Sequence, residues 1–220
     1  GAQPKAGNIA NCIKVCAEVN PAAATKRHEQ GWVDELIDNM DDLVSRVKQA
    51  QANEEVVSIA FIGNVVDVWE TFYEQEIFVH LGSDQTSLHN PWSGGYYPVG
   101  ISYEESNRLI REEPEAFKVK VQETLKRHAD AVNKHTAKGT YFFDYGNAFL
   151  LEASRAGADC RAGRRVGGPW PNPLRPPGGF SSGSDRRFCI LAHAIDAARC
   201  GGGGLGFWHG LFRSCADLDS

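Results

Sequence analysis

Residues 80 to 100 read HLGSDQTSLHNPWSGGYYPVG, a run in which small polar, aromatic and glycine residues stand together without a hydrophobic period. Its residue types suit ligand binding. Backbone N–H groups and short hydroxyls such as those of Thr86 and Ser87 suit a pyrophosphate, and glycines let the chain approach closely. Tyr96 and Tyr97 each offer a flat apolar face and one hydroxyl. A serine nucleophile with a histidine base is a poorer reading of Ser87 and His89, because the two are neighbours on one loop and no orienting acid can be named. A satisfied polar turn is the plainer alternative for both. His80, His128 and His135 read as structural, the latter two on one face of a long helix. Cys12 and Cys16 could share a helix face, but no Cys or His pair follows at metal-ligand spacing, so they read as small buried residues and no metal is expected.

A second group points the same way. Glu18 closes the apolar run IKVCAEV and stands 17 residues after Gly1. In dinucleotide-binding folds an acidic residue about 20 positions beyond the glycine turn accepts hydrogen bonds from the adenosine ribose. A solvated acid after a strand would look the same.

The elements that must position these residues alternate between strand and helix. GAQPKAGNIANC reads as a glycine-bounded turn passing into a helix, and residues 13 to 19 follow as a strand. DELIDNMDDLVSRVKQAQ predicts an amphipathic helix with Leu36, Ile37, Met40, Leu43, Val44 and Val47 on its core face. VVSIAFIGN is a near-continuous apolar strand ending at Gly63-Asn64, of the kind buried in a parallel sheet. A helix around VVDVWETFYEQ and a strand around IFVHLG come next. Ser102 and Glu105 have capping-box spacing, and Pro114 suits the first turn of a long helix running toward Gly139. TYFFDYGN and AFLLEASRAGA give a last strand and helix. Repeated units of this kind predict an α/β fold, a Rossmann-like doubly wound parallel sheet whose ligand sits beyond the carboxyl ends of the strands. Gly63-Asn64, GSDQTS and DYGN should then face one crevice.

Composition limits what this crevice serves. At 220 residues with 42% apolar content the chain can bury a sizeable core. A net charge of −5 argues against a general nucleic-acid binder. No apolar run approaches the roughly 20 residues of a spanning helix and no secretion signal opens the chain, so a cytosolic protein without membrane attachment is expected. The six cysteines are irregularly spaced and read as free thiols. Composition changes near residue 159: residues 1 to 159 hold nine Lys and six Arg against 24 acids, whereas 160 to 220 hold eight Arg, four Asp, no Lys and no Glu. GGPWPNPLRPPGGFSSGSDRR predicts a loop or disorder, and FCILAHAIDAARC one helix ending at GGGG. Two segments follow: a cofactor domain over 1–159 and an irregular Gly/Pro/Arg-rich tail over 160–220.

GAQPKAGN, RHEQGWVDE, LGSDQTSLHNPWSGGYYPVG and GTYFFDYGNAFLLEASRAGAD together resemble the urocanase (urocanate hydratase) family over residues 1 to 159. The resemblance implies a homodimeric, cytosolic hydro-lyase of histidine breakdown that adds water to urocanate to give imidazolone propionate, with tightly bound NAD+ as electrophile. It implies that Glu18 binds the cofactor ribose, that Asn64 and Val65 contact the cofactor, and that Gln85, Thr86, Ser87, Leu88 and His89 form the loop that wraps it. Tyr96, Tyr97 and Tyr145 are implied as further contacts. The pattern departs at Ala23, where bacterial members carry an arginine.

The same resemblance implies that the chain begins inside the family's glycine-rich loop and that the substrate-side cysteine and acid–base groups are not matched, so no catalytic residue is assigned. Cys160, Cys189, Cys200 and Cys215 match no family position, and the tail has the composition of an out-of-frame or unspliced reading. The polypeptide alone is therefore expected to be inactive as a hydratase. The alternative is a non-catalytic dinucleotide-binding or interaction protein derived from a urocanase.

Overall fold

The computed structural model describes residues 2–144, 146–160 and 188–192. Its elements in chain order are α1 (Ala2–Ile9), β1 (Ile13–Glu18), α2 (Pro21–Glu29), β2 (Glu35–Ile37), α3 (Met40–Ala52), β3 (Val57–Ile62), α4 (Val65–Glu74), β4 (Leu81–Asp84), a 3-10 turn at Pro91–Ser93, α5 (Tyr103–Glu112), α6 (Pro114–Ala137), β5 (Tyr141–Asp144), α7 (Phe149–Arg155) and β6 (Phe188–Ala192). Every strand pairing is parallel, in the order β2-β3-β1-β6-β4-β5. This is the expected Rossmann-like α/β sheet.

β1 shows why the sheet must be covered on both faces. All six of its residues are buried. Ile13, Val15 and Ala17 join a large apolar cluster with Leu43, Val47, Val66, Trp69, Phe72, Val121 and Leu125, drawn from α3, α4 and α6. Cys16 faces the other way, packing with Cys12, Phe143 and with Ala6 and Ala10 beside α1. The pleat sends alternate side chains to opposite layers, so α1 lies across the sheet from α3, α4 and α6. Burial raises the Cys16 thiol pKa. Among the described residues no disulfide joins Cys12, Cys16 and Cys160 and no metal-binding cluster occurs. No described helix is long and apolar enough to cross a membrane.

Three elements differ from the sequence reading. Leu36 and Ile37 belong to β2, paired with Ala60 and Phe61, and α3 begins only at Met40. The break is Asn39, whose side-chain oxygen accepts from the N–H groups of Asp41 and Asp42 at 2.9 and 3.1 Å and so starts the helix there. The strand expected around IFVHLG forms at Leu81–Asp84 instead, while Ile77 and Val79 are buried in the approach to it. Within FCILAHAIDAARC, Phe188–Ala192 form a strand rather than a helix. A five-residue apolar run has too little length to show its period, and a parallel partner on each side decides it. The GGPWP segment lies outside the described residues.

The topology fixes where a ligand can sit. From β1 the chain builds β2 and β3 on one side of the sheet, then crosses to build β4 and β5 on the other. The direction of winding therefore reverses between β1 and β4, and the crevice of a doubly wound sheet opens beyond the carboxyl ends of the strands at that point.

Candidate functional site

At this edge a cleft is lined by Ala17, Val19, Gly63, Asn64, Val65, Thr86, Tyr96 and Tyr97. Its floor is the end of β1, where Glu18 is only 4% exposed. The Glu18 Oε1 accepts from the N–H of Asn20 at 2.9 Å, which holds the carboxylate at the strand end. Asn20 in turn starts α2, its Oδ1 accepting from the N–H groups of Ala22 and Ala23, and its Nδ2 donates to the Tyr103 hydroxyl at 3.2 Å.

Tyr103 connects the floor to the rim. Its ring lies 5.2 Å from that of Tyr97, whose hydroxyl donates to Asn107 Oδ1 at 3.1 Å. The Tyr97 carbonyl accepts from Asn64 Nδ2 at 2.9 Å, while Asn64 Oδ1 accepts from the N–H of Val66 and begins α4. Asn64 thus spends both ends of its amide on shaping the cleft: one starts a helix, the other fastens the rim. Burial raises the Tyr97 pKa well above that of an ordinary tyrosine, and the neighbouring Tyr103 and the charge of Glu18 push it the same way.

The loop after β4 is braced from behind. Asp84, 1% exposed, accepts at one carboxylate oxygen from the Thr86 N–H at 3.1 Å, the Thr86 hydroxyl at 2.6 Å and Asn147 Nδ2 at 2.6 Å. Asn147 Nδ2 also donates to the Thr86 carbonyl at 3.0 Å, and its Oδ1 accepts from the N–H of Phe149 at the start of α7. Farther along, Ser87 donates its N–H to the Gly95 carbonyl and Gly95 its own to the Asn90 carbonyl. A Cβ on residue 95 would stand 2.2 Å from the Ser87 carbonyl oxygen and 2.5 Å from that of Asn90, so only glycine permits this closure.

The residues singled out in the sequence separate into groups. Asn64, Val65, Thr86, Tyr96 and Tyr97 line the cleft, and Glu18 lies between its lining residues Ala17 and Val19. Gln85 stands beside it, its Oε1 accepting from Gln3 Nε2 at 2.7 Å, which ties the first turn of α1 to the end of β4. The Gln85 Nε2 is buried without a hydrogen-bond partner among the described residues. Ser87 shapes the loop through its backbone. Leu88 is 1% exposed and part of the main core. His89 is exposed, with Nε2 3.1 Å from the Gly146 carbonyl oxygen. Tyr145 lies outside the described residues. Asp84, Asn147, Asn20, Tyr103 and Asn107 belong to the site yet were not singled out as such. Asp84 and Asn147 stand inside the GSDQTS and DYGN clusters, so position after a strand was the available signal; Asn20, Tyr103 and Asn107 gave none.

The arrangement offers a fixed carboxylate, a lining that includes two tyrosines, and a buried amide donor on Gln85, the residue before the lining Thr86. That set fits a dinucleotide: ribose hydroxyls for Glu18, an acceptor for Gln85 Nε2, and flat ring systems for the tyrosine side.

Known proteins agree with the geometry. The family model described as the urocanase Rossmann-like domain matches residues 1–167. A probable urocanate hydratase of Caenorhabditis elegans is 51% identical over 160 residues, covering 72% of this chain and 24% of that protein. Urocanate hydratase of Mus musculus is 51% identical over 164 residues, with the same two shares. An S-methyl thiourocanate hydratase from a Variovorax strain is 32% identical over 157 residues, covering 71% of this chain and 28% of that protein. The chain thus spans about a quarter of the length of the curated relatives it matches.

Proposed function

The chain belongs to the urocanase family, and from that premise we propose that it supplies the cofactor-binding part of a urocanate hydratase, with NAD+ as the dinucleotide. The observation that carries this reading is the Glu18 carboxylate, held at the carboxyl end of β1 beside the cleft at the reversal of the sheet. Glu18 takes the ribose hydroxyls, and its charge disfavours a 2′-phosphate, so NAD+ is preferred to NADP+. Gln85 Nε2 donates to an acceptor on the cofactor, Thr86 carries the loop that closes over it, and Tyr96 and Tyr97 form the wall beside Asn64.

Bound NAD+ would supply an electrophilic nicotinamide ring for the addition of water to urocanate. The part of this chain is to bind that cofactor, orient it and keep water from the wall side of the cleft. Relatives named for urocanate and for S-methyl thiourocanate share this domain, which supports giving it the step common to both rather than the choice of substrate. The enzyme so completed is proposed to be a homodimer of the cytoplasm, working in histidine breakdown.

Calorimetric titration of the 220-residue chain with NAD+ and NADP+, beside an absorbance assay for urocanate consumption, tests the proposal. Saturable binding that favours NAD+ is expected. Binding without turnover is what a cofactor-binding part whose chemistry lies elsewhere would give, and the absence of NAD+ binding would overturn the cofactor assignment.

A further inference from the structure

The wall of the cleft has a support that the cofactor assignment does not use. Tyr96 is among the residues that line the cleft, yet only 2% of it is exposed, and its hydroxyl points inward to Nδ1 of His128 on α6, 3.0 Å away. The two rings stack at 25° with centroids 6.3 Å apart, and the Phe149 ring closes on His128 at 4.7 Å. His128 itself is fully buried, and its Nε2 has no hydrogen-bond partner among the described residues.

Counting donors fixes the direction of the bond. If the Tyr96 hydroxyl donates to Nδ1, the histidine proton sits on Nε2 and a single N–H is left over. If Nδ1–H donates instead, the Tyr96 O–H and the Nε2 lone pair both go without partners. An unmade buried hydrogen bond is costly, so the first arrangement prevails. Both groups stay uncharged: desolvation lowers the His128 pKa to about 3, and desolvation followed by the charge of Asp84 raises that of Tyr96.

A buried histidine that leaves one nitrogen unsatisfied is a poor choice for packing alone. We propose that His128 is a positioning residue for the cofactor: by accepting the Tyr96 hydroxyl it holds Tyr96 in place among the lining residues of the cleft. The role rests on the dinucleotide reading. It also removes the Tyr96 hydroxyl from direct contact with a ligand.

The test uses the full 220-residue chain and the variants His128→Phe, His128→Asn, Tyr96→Phe and the double Tyr96→Phe/His128→Phe. Each is titrated with NAD+, its thermal midpoint is recorded, and without ligand it is treated with tetranitromethane and mapped for nitrated tyrosine. Tyr141, 46% exposed, should react in every chain. Tyr96 should stay unmodified in the parent and in His128→Asn, which keeps an acceptor near the Nδ1 position, and become nitrated in His128→Phe. The dissociation constant for NAD+ should rise about 5- to 10-fold in His128→Phe and in Tyr96→Phe, as expected for one lost hydrogen bond. It should rise no further in the double variant, and should stay within about threefold of the parent in His128→Asn even if that chain melts as early as His128→Phe.

Protection of Tyr96 in His128→Phe would overturn the proposal, as would losses that multiply in the double variant. If His128→Phe does not fold, Tyr96→Phe and His128→Asn decide: weakened binding in the first and near-parent binding in the second support the role, and the reverse refutes it. A parent chain that ignores NAD+ but shows the expected nitration pattern would remove the cofactor reading while leaving His128 as the residue that holds Tyr96.

Discussion

At the scale of single residues the site depends on two carboxylates and a buried histidine, each held by particular hydrogen-bond partners. Replacing Glu18 by Gln should weaken NAD+ binding by about 10- to 100-fold, since hydrogen bonds to a charged group are worth roughly 1.5–3 kcal/mol, and should narrow the preference over NADP+; titration with both dinucleotides reads each effect. Asp84 has a structural consequence instead. Asp84→Ala strips an acceptor from the Thr86 N–H, the Thr86 hydroxyl and Asn147 Nδ2 together, and should lower stability by about 2–4 kcal/mol in urea unfolding. His128 gives a pH dependence of definite sign. Its folded pKa, about 3 through desolvation, lies below the usual 6.5, so the unfolded chain binds the extra proton between these values. The stabilisation is complete above pH 6.5 and drains away as pH falls toward 3, by at most about 1.4 kcal/mol per pH unit. Unfolding measured from pH 7 to 5 should show a shallower slope in His128→Asn than in the parent, leaving the share of the similarly lowered His135 unchanged. Glu18 could be singled out from its place after a strand, but the histidine contacts could not: seven-residue spacing placed His128 and His135 on one helix face without saying that one meets a tyrosine hydroxyl and the other the Trp69 carbonyl.

At the scale of elements, caps and close approaches decide what periodicity leaves open. Leu36 to Val47 carry a helical stripe in the sequence, yet Asn39 starts the helix late and frees Glu35–Ile37 to join the sheet. Asn39→Ala should therefore cost about 1 kcal/mol, read as a shift of the urea midpoint. The run at residues 80 to 100 stood out as a candidate site because it lacks any period, and most of it does follow a strand, β4. Its internal economy was not legible. Leu88 goes to the core and Ser87 works through its backbone, because burial and main-chain pairing depend on how the loop folds back on Gly95. Gly95→Ala would drive a methyl group into two carbonyl oxygens that cannot retreat without opening the loop. A loss of about 2–3 kcal/mol is expected, of the size that forced overpacking costs, with a matching loss of NAD+ affinity.

At the scale of the molecule the parallel sheet and its reversal could be read from alternating elements, because buried strands and amphipathic helices announce themselves locally. The membership of β6 could not, since Phe188–Ala192 owe their strand form to partners more than a hundred residues away, Ile13–Ala17 and Leu81–Asp84. A proline at Ile190, which lies level with Val15 and Gly82, would remove a ladder N–H from a strand paired on both sides. Ile190→Pro should speed hydrogen–deuterium exchange in residues 13–17 and 81–84 while leaving α3 and α4 protected. There is a temporal side to this arrangement. β6 separates β1 from β4, so among the described strands the two halves of the sheet are joined through residues that a ribosome delivers after the other five. Until then β1 and β4 present bare edges, and closing the sheet requires contacts of very long sequence separation, the kind that slows folding and leaves a nascent chain dependent on chaperones.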